Sequence, residues 1–214
     1  TSPTQEFLNY LRERTLELEI ILIFDETVTG FRVAPGGAQE LLSIKPDLTT
    51  FGKGIANGFP LSVLCGRADI MNLMDRIFFS GTFGGELLSL AAAKVVLKKI
   101  RDDSVTQALA SIGERLNIAV NKVLQDLNFQ GLTLSGHPSW QFLVWNEKDF
   151  KDLSKAKTLF MQEMFFEGIL ILGSHNVTLA HNEIAINTVA SAYQKVLARV
   201  QQVESDQNYS DNLL

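Results

Sequence analysis

The sequence predicts an α/β domain over residues 1–103, followed by a connecting helix and a smaller α+β unit over residues 104–214. Three observations carry this. Short apolar runs bounded by glycine or acid, "EIILIFD", "DLTTFG" and "LSVLCG", alternate with helical segments in the first half. Apolar residues then repeat every three or four positions from Ser104 to about Leu127. Beyond that stretch, the strand-like runs "WQFLVW" and "GILILG" flank a further helix.

Taken in order, residues 5–18 form a helix with Phe7, Leu8, Leu11, Leu16 and Leu18 apolar and Thr4 as its N-cap. "EIILIFD" is the first strand and ends on Asp25 and Glu26. "PGGAQELLSI" supplies a turn and a short helix, and "DLTTFG" and "LSVLCG" are buried strands. "RIFFSGT" is a fourth strand, and the alanine and leucine of "ELLSLAAAKVVLKKI" predict a helix from about Gly84 to Arg101. Val105, Leu109, Ile112, Leu116, Val120, Val123 and Leu127 mark one buried face of the connecting helix. A helix near Ser154 to Glu167 precedes "GILILG". The last helix, capped by Asn182, turns Ile186, Val189, Tyr193, Val196, Leu197 and Val200 inward. The tail "QVESDQNYSDNLL" is polar enough to fray.

With 214 residues, 46% of them hydrophobic, the chain can bury a substantial core. A net charge of −5 without a Lys/Arg stripe argues against a nucleic-acid or membrane partner and for a small molecule. No apolar run reaches the roughly 18 residues of a membrane span. Cys65 has no internal disulfide partner, so a reducing cytoplasm is the expected compartment, and in "LSVLCG" it reads as a small buried hydrophobe.

Three residues point to chemistry. Lys53, in "FGKGIANG", follows an apolar strand and is flanked by glycines that allow a ligand near the backbone. An amine partly withdrawn from water is a nucleophile toward carbonyls. Gly52-Lys53 lacks the following Ser/Thr and the spaced upstream glycine of a phosphate-binding P-loop. Asp25 ends the strand "ILIF", at the edge where open sheets place ligands. Thr82, in "SGTFGGE", sits in a glycine-rich turn before a helix, where a hydroxyl and free N–H groups suit a phosphate. Each has a plainer reading alone: solvated loop lysine, capping acid, helix-starting turn. Glu26 reads as a supporting or surface acid. If the three share one sheet edge, they present the amine, carboxylate and phosphate cradle that pyridoxal 5′-phosphate needs.

"LIFDETVTGFR", "GGAQELLSIKPDLTTFGKGIANGFPLSVLCGR" and "SGTFGGE", in this order and spacing, resemble the class III, fold-type I pyridoxal-phosphate aminotransferases, in particular their glutamate-1-semialdehyde aminomutase-like branch. "FFEGILILGSHNVTLAHNEIAINTV" is similar to that branch's C-terminal domain. The resemblance implies the C-terminal part of a fold-type I large domain followed by a small α+β domain. It implies that Lys53 carries the cofactor as an internal aldimine and shuttles the substrate's α-proton, that Asp25 contacts the pyridine nitrogen, and that Thr82 binds the cofactor phosphate across a homodimer interface. The family commonly has an aliphatic residue near the ring two positions after the aspartate. Here Thr27 stands at that position, followed by Val28, which is assigned to the cofactor as well.

The resemblance further implies an amino donor and a carbonyl acceptor as substrates. "FGGE" after Thr82 departs from the "SGNP" type of turn and favours transaminase over intramolecular aminomutase. Family members carry about as many residues again upstream, with a phosphate loop and a stacking aromatic. A non-catalytic scaffold lacking that half is the rival reading. His137 is expected in a turn, and His175 and His181 lack a metal-ligand pattern. Arg32 pairs with a substrate carboxylate or a local acid, and Trp140 and Trp145 fill the small-domain core.

Overall fold

The computed structural model describes residues 3–213, and the chain divides into two units, Thr1–Gln107 and Ala108–Leu214. In the first unit, α1 (Gln5–Glu17) begins where the Thr4 hydroxyl accepts the Phe7 N–H at 3.2 Å, as expected of an N-cap. Leu8 of α1 joins Leu22 and Ile44 in a small core, with Leu11, Phe24 and Leu42 against it. β1 (Ile23–Asp25) is shorter than the predicted run, because its ladder starts only where Ile23 meets Leu48. The neighbouring Ile20 and Ile21 are exposed.

After the short α2 (Ala38–Leu41), β2 (Leu48–Phe51) lies parallel to β1, and β3 (Val63–Gly66) pairs antiparallel with β2. The order is β1-β2-β3. β2 is central and buried. β3, expected to be buried, is an edge strand with mostly exposed residues, so Cys65 is exposed instead of packed. A one-turn α3 (Ala68–Met71) follows. The predicted strand "RIFFSGT" is absent: residues 77–81 are irregular and pair with no strand among the described residues, and Phe78 is 95% exposed. Strand-like composition gives no strand where no ladder partner is at hand. α4 (Leu87–Asp102) starts three residues later than predicted.

α5 (Val105–Asp126) buries Leu109, Ile112, Leu116, Val120 and Val123, the face its periodicity marks. In the second unit, β4 (Leu132–His137), β5 (Trp140–Trp145) and β6 (Ser174–Asn176) form an antiparallel sheet in that order. β4 has no counterpart in the sequence reading, and "GILILG" is irregular, the strand starting at Ser174 just after it. Leu170 and Leu172 of that run are exposed. α5 lies tight against the β4–β5 turn, since a Cβ on Gly113 would fall 1.8 Å from the Pro138 carbonyl oxygen.

α6 (Leu153–Phe166) and α7 (Glu183–Asp206) complete the unit, and the Asn182 side chain caps α7 by accepting the Ala185 N–H at 3.0 Å. Leu159, Phe160, Met164, Tyr193, Val196, Leu197 and Val200 are fully buried. Trp145 stacks edge-on against Phe150 and Phe160. Trp140 instead packs on the half-exposed Phe142 at 4.7 Å, outside the deep core. Leu214 of the tail lies outside the described residues, and the part before it is held against α7 where fraying was expected. Tyr209 is buried and donates to Glu204 at 2.6 Å, and Asn212 accepts from Arg199.

Candidate active site

The register of β1 on β2 sets the geometry. Phe24 and Asp25 lie opposite Thr49 and Thr50. Because the strands are parallel, their carboxyl ends finish on the same edge, where open sheets hold ligands. Asp25 closes β1, and Lys53 follows two residues after β2 ends. Both side chains are exposed.

Asp25 Oδ1 accepts the Thr27 N–H at 2.9 Å, a local Asx-type turn, and the Thr50 hydroxyl at 3.2 Å. The Thr27 side chain, the Thr27 N–H and the Thr50 hydroxyl, in that order, hold the carboxyl below its ordinary range, and the Lys53 ammonium adds to the effect. Asp25 is therefore a firm anion at neutral pH. Val28, partly buried, is in the same turn.

Lys53 opens a 3-10 turn (Lys53–Ala56) with φ +42°, a left-handed backbone that few non-glycine residues adopt. Strained positions of this kind concentrate at functional sites. Ile55 and Ala56 of the turn are buried with Phe51 and Ala93 of α4, with Phe31, Leu61 and Val63 around them. That cluster anchors the turn and leaves Lys53 facing outward, so the described residues do not withdraw its amine from water. The two flanking glycines differ. A Cβ on Gly54 would meet nothing within 4 Å, whereas one on Gly52 would come within 3.2 Å of the Thr27 methyl.

Glu26 is neither surface nor loosely held. It is 1% exposed, and its carboxylate accepts the N–H groups of Ala38 and Gln39, each at 2.8 Å, and the Thr29 hydroxyl. Its N–H donates to the Thr50 carbonyl at 2.9 Å and its carbonyl accepts the Gly30 N–H at 2.9 Å. This acid ties the turn carrying Thr27 and Val28 to the start of α2. Gly37, at φ +84°, is what lets the backbone reach it, since a Cβ there would lie 2.5 Å from the carboxylate.

Thr82 is exposed in a turn at residues 82–85 that follows no strand. The expected free N–H groups at the helix start are taken: Glu86 caps α4, accepting the N–H groups of Leu88 at 2.8 Å and Ser89 at 2.6 Å. Bonds from the Ser89 hydroxyl and these amides hold the Glu86 carboxyl low. A phosphate at the first turn of α4 would meet that carboxylate.

Asp47 escaped the sequence reading, and so did the burial of His175. Asp47, just before β2, receives the Leu22 N–H at 2.8 Å, Arg12 at 2.9 Å and Arg67 at 3.0 Å. Burial opposes its ionisation, but these donors prevail and bring its carboxyl down to about 2. His175 is buried on β6 with Nε2 2.9 Å from the Tyr193 hydroxyl, and burial, with His181 adding to it, lowers its pKa to about 4. His181 accepts the Thr178 N–H at 2.9 Å, and His137 ends β4 beside the Pro138–Ser139 turn. Arg32 is partly buried.

A family model described as aminotransferase class-III matches residues 1–194. The chain is 32% identical to a glutamate-1-semialdehyde 2,1-aminomutase of Methanothermobacter thermautotrophicus and 35% identical to one of Nitrosopumilus maritimus, each match covering 92% of this chain and 50% of the relative. Among solved structures, a β-phenylalanine aminotransferase from Variovorax paradoxus is 27% identical with a TM-score of 0.81, over 94% of this chain and 49% of that one. The FumI protein of Sphingopyxis sp. MTA144, in its PLP internal aldimine form, gives a TM-score of 0.87 at 24% identity over 96% and 49%, a likeness of fold. The chain spans about half the length of the curated relatives it matches.

Proposed function

From the premise that the chain belongs to the class III aminotransferases, we propose that it supplies the lysine-and-aspartate part of a pyridoxal-phosphate site for amino-group transfer from a small-molecule amine to a carbonyl acceptor. The fold is that of the pyridoxal-phosphate transaminases over about half of the reference chains. The observation that carries the reading is the pairing of Asp25 and Lys53 at adjacent carboxyl ends of β1 and β2, with Asp25 kept ionised. Their chemistry fits the cofactor: a firm carboxylate suits a protonated pyridine nitrogen, and an exposed primary amine suits an aldehyde. When bound, pyridoxal 5′-phosphate supplies an electron sink for the electrons left on a substrate carbon after proton removal.

The residues of this chain then have distinct roles. Asp25 holds the proton on the ring nitrogen, which keeps that sink effective. Lys53 would hold the cofactor through its Nζ, and the same amine would be the group that takes a proton from the substrate and returns it. Val28 packs by the ring. Thr82 gives its hydroxyl to the phosphate from a second copy of the chain, so a homodimer belongs to the proposal. Exposed Phe78, Phe79, Phe83, Leu87 and Leu88 beside Thr82 support a covered face there. No helix among the described residues is long and apolar enough to cross a membrane, and the lone Cys65 supports a cytoplasmic setting.

Intramolecular exchange of an amino group is the second reading, favoured by the names of the curated relatives. It uses Lys53 and Asp25 in the same roles and differs in retaining the substrate until the exchange is complete. The test is borohydride reduction of the full natural chain loaded with cofactor, followed by peptide mapping. The label is expected on Lys53; label on another lysine, or none, returns the chain to the scaffold reading. Release of free keto product from an amine donor then separates transaminase from aminomutase.

A further inference from the structure

The donors that the described residues bring to Asp25 end on one oxygen. Oδ1 accepts the Thr27 N–H at 2.9 Å and the Thr50 hydroxyl at 3.2 Å, while Oδ2 has no hydrogen-bond partner among the described residues. The last torsion of an aspartate is broad, so an exposed carboxylate held by one donor still turns, and a second donor from another strand opposes that turning. We propose that Thr50 is a positioning residue for Asp25, its hydroxyl pinning Oδ1 together with the Thr27 amide and leaving Oδ2 as the oxygen that meets the ring nitrogen of the cofactor.

The placement follows from the strand pairing. Asp25 and Thr50 are partners in the parallel register of β1 and β2, so their side chains rise from the same face. Thr49, one residue earlier, is buried on the other face, whereas Thr50 is half-buried beside the exposed acid. The backbone holds Thr50 there independently of its side chain, because its carbonyl accepts the Glu26 N–H at 2.9 Å. After the side chain and the N–H of Thr27, the Thr50 hydroxyl is the next group to favour the Asp25 anion. Of the charged groups around it, Lys53 attracts the carboxylate, and Glu26 is turned away into the amides of Ala38 and Gln39. Orientation matters because a hydrogen bond weakens steeply once its donor angle falls below about 120°. The tilt of the carboxylate therefore bears on how firmly a ring proton is held.

The role of Oδ2 rests on the proposed contact of Asp25 with the ring nitrogen; the pinning of Oδ1 is measured without cofactor. In the full natural chain, the Asp25 carboxyl is titrated by carbon-13 NMR and the Glu26 amide is followed by hydrogen exchange. Thr50→Val keeps the branched shape that suits a strand and removes the hydroxyl, and Thr50→Ser keeps the hydroxyl. The Asp25 midpoint is expected to move up in Thr50→Val and to stay with the parent in Thr50→Ser, with the Glu26 amide as protected in Thr50→Val as in the parent. An unmoved midpoint in Thr50→Val, or the same shift in both variants, overturns the assignment. So does a shift accompanied by loss of Glu26 protection in Thr50→Val, since the strand pairing is then its cause. In the loaded chain, nitrogen-15 in the cofactor ring is expected to lose its proton at lower pH in Thr50→Val than in the parent, and Thr50→Ser restores the parent value. A ring that titrates alike in Thr50→Val and the parent overturns the role of Oδ2. A ring that titrates alike in Asp25→Asn and the parent overturns the ring contact of Asp25 itself, an outcome separate from the carboxyl titration.

Discussion

Replacing Glu26 with alanine tests whether this buried acid holds the loop behind the site. Three donors end on its carboxylate: the Ala38 and Gln39 amides, each at 2.8 Å, and the Thr29 hydroxyl. A hydrogen bond to a charged group contributes about 1.5–3 kcal/mol, and a buried donor left without an acceptor costs about 1–3 kcal/mol. Both amide bonds are only partly buried, so the lower half of these ranges applies. The expected loss is about 2–4 kcal/mol. Glu26→Gln keeps one acceptor oxygen and should lose about half as much. Urea unfolding gives the stability, and hydrogen exchange at Ala38 and Gln39 shows whether the loss is local. A surface acid would change stability by no more than about 0.5 kcal/mol. A change that small in Glu26→Ala, with both amides still protected, would refute the clamp.

Acidification should destabilise the protein in two stages. His175 titrates at about 4 in the fold, below the usual 6.5, so the unfolded chain binds the proton first and stability falls as pH drops from 6.5 toward 4. The stabilisation from Asp47 is complete above the usual 3.8 and is lost as pH falls toward about 2. Urea midpoints taken from pH 7 to 2 should show both slopes, and His175→Gln should remove the first. At Lys53, glycine accepts φ +42° and alanine does not, so Lys53→Gly should be more stable than Lys53→Ala by about 1 kcal/mol in thermal unfolding; the reverse order would contradict the left-handed backbone. Exposed Cys65 should react with a thiol reagent in the folded protein, whereas protection until unfolding would mean that β3 is covered.

How far the site was legible depends on the range of the interaction. The helix caps at Thr4 and Asn182 and the buried faces of α5 and α7 follow from local side-chain chemistry and a 3.6-residue period, and the structure has them where the pattern predicts. The strands were harder, because a strand exists only with a partner. "RIFFSGT" and "GILILG" have the composition but no ladder among the described residues, while "LTLSGH" forms β4 because β5 lies beside it. A D-x-T pattern signals a side-chain-capped turn, so the Thr27 N–H bond to Asp25 was within reach of a local reading. The three bonds of Glu26 were not. Residues 29, 38 and 39 meet it only after the chain folds back past Gly37.

The order of amino acids determines by itself that an acid ends one apolar run and a lysine between glycines follows another, and with them the family and its cofactor chemistry. Tertiary structure alone decided that β1 and β2 lie parallel and in register, which brings Asp25 and Lys53 to one edge. It also decided which acid is which. Asp25 and Glu26 are adjacent and chemically alike, yet alternation along an extended chain sends one carboxylate to the open edge and buries the other under the loop. Burial and hydrogen-bond partners come from what the rest of the chain places around a residue, and neighbours in sequence do not share them.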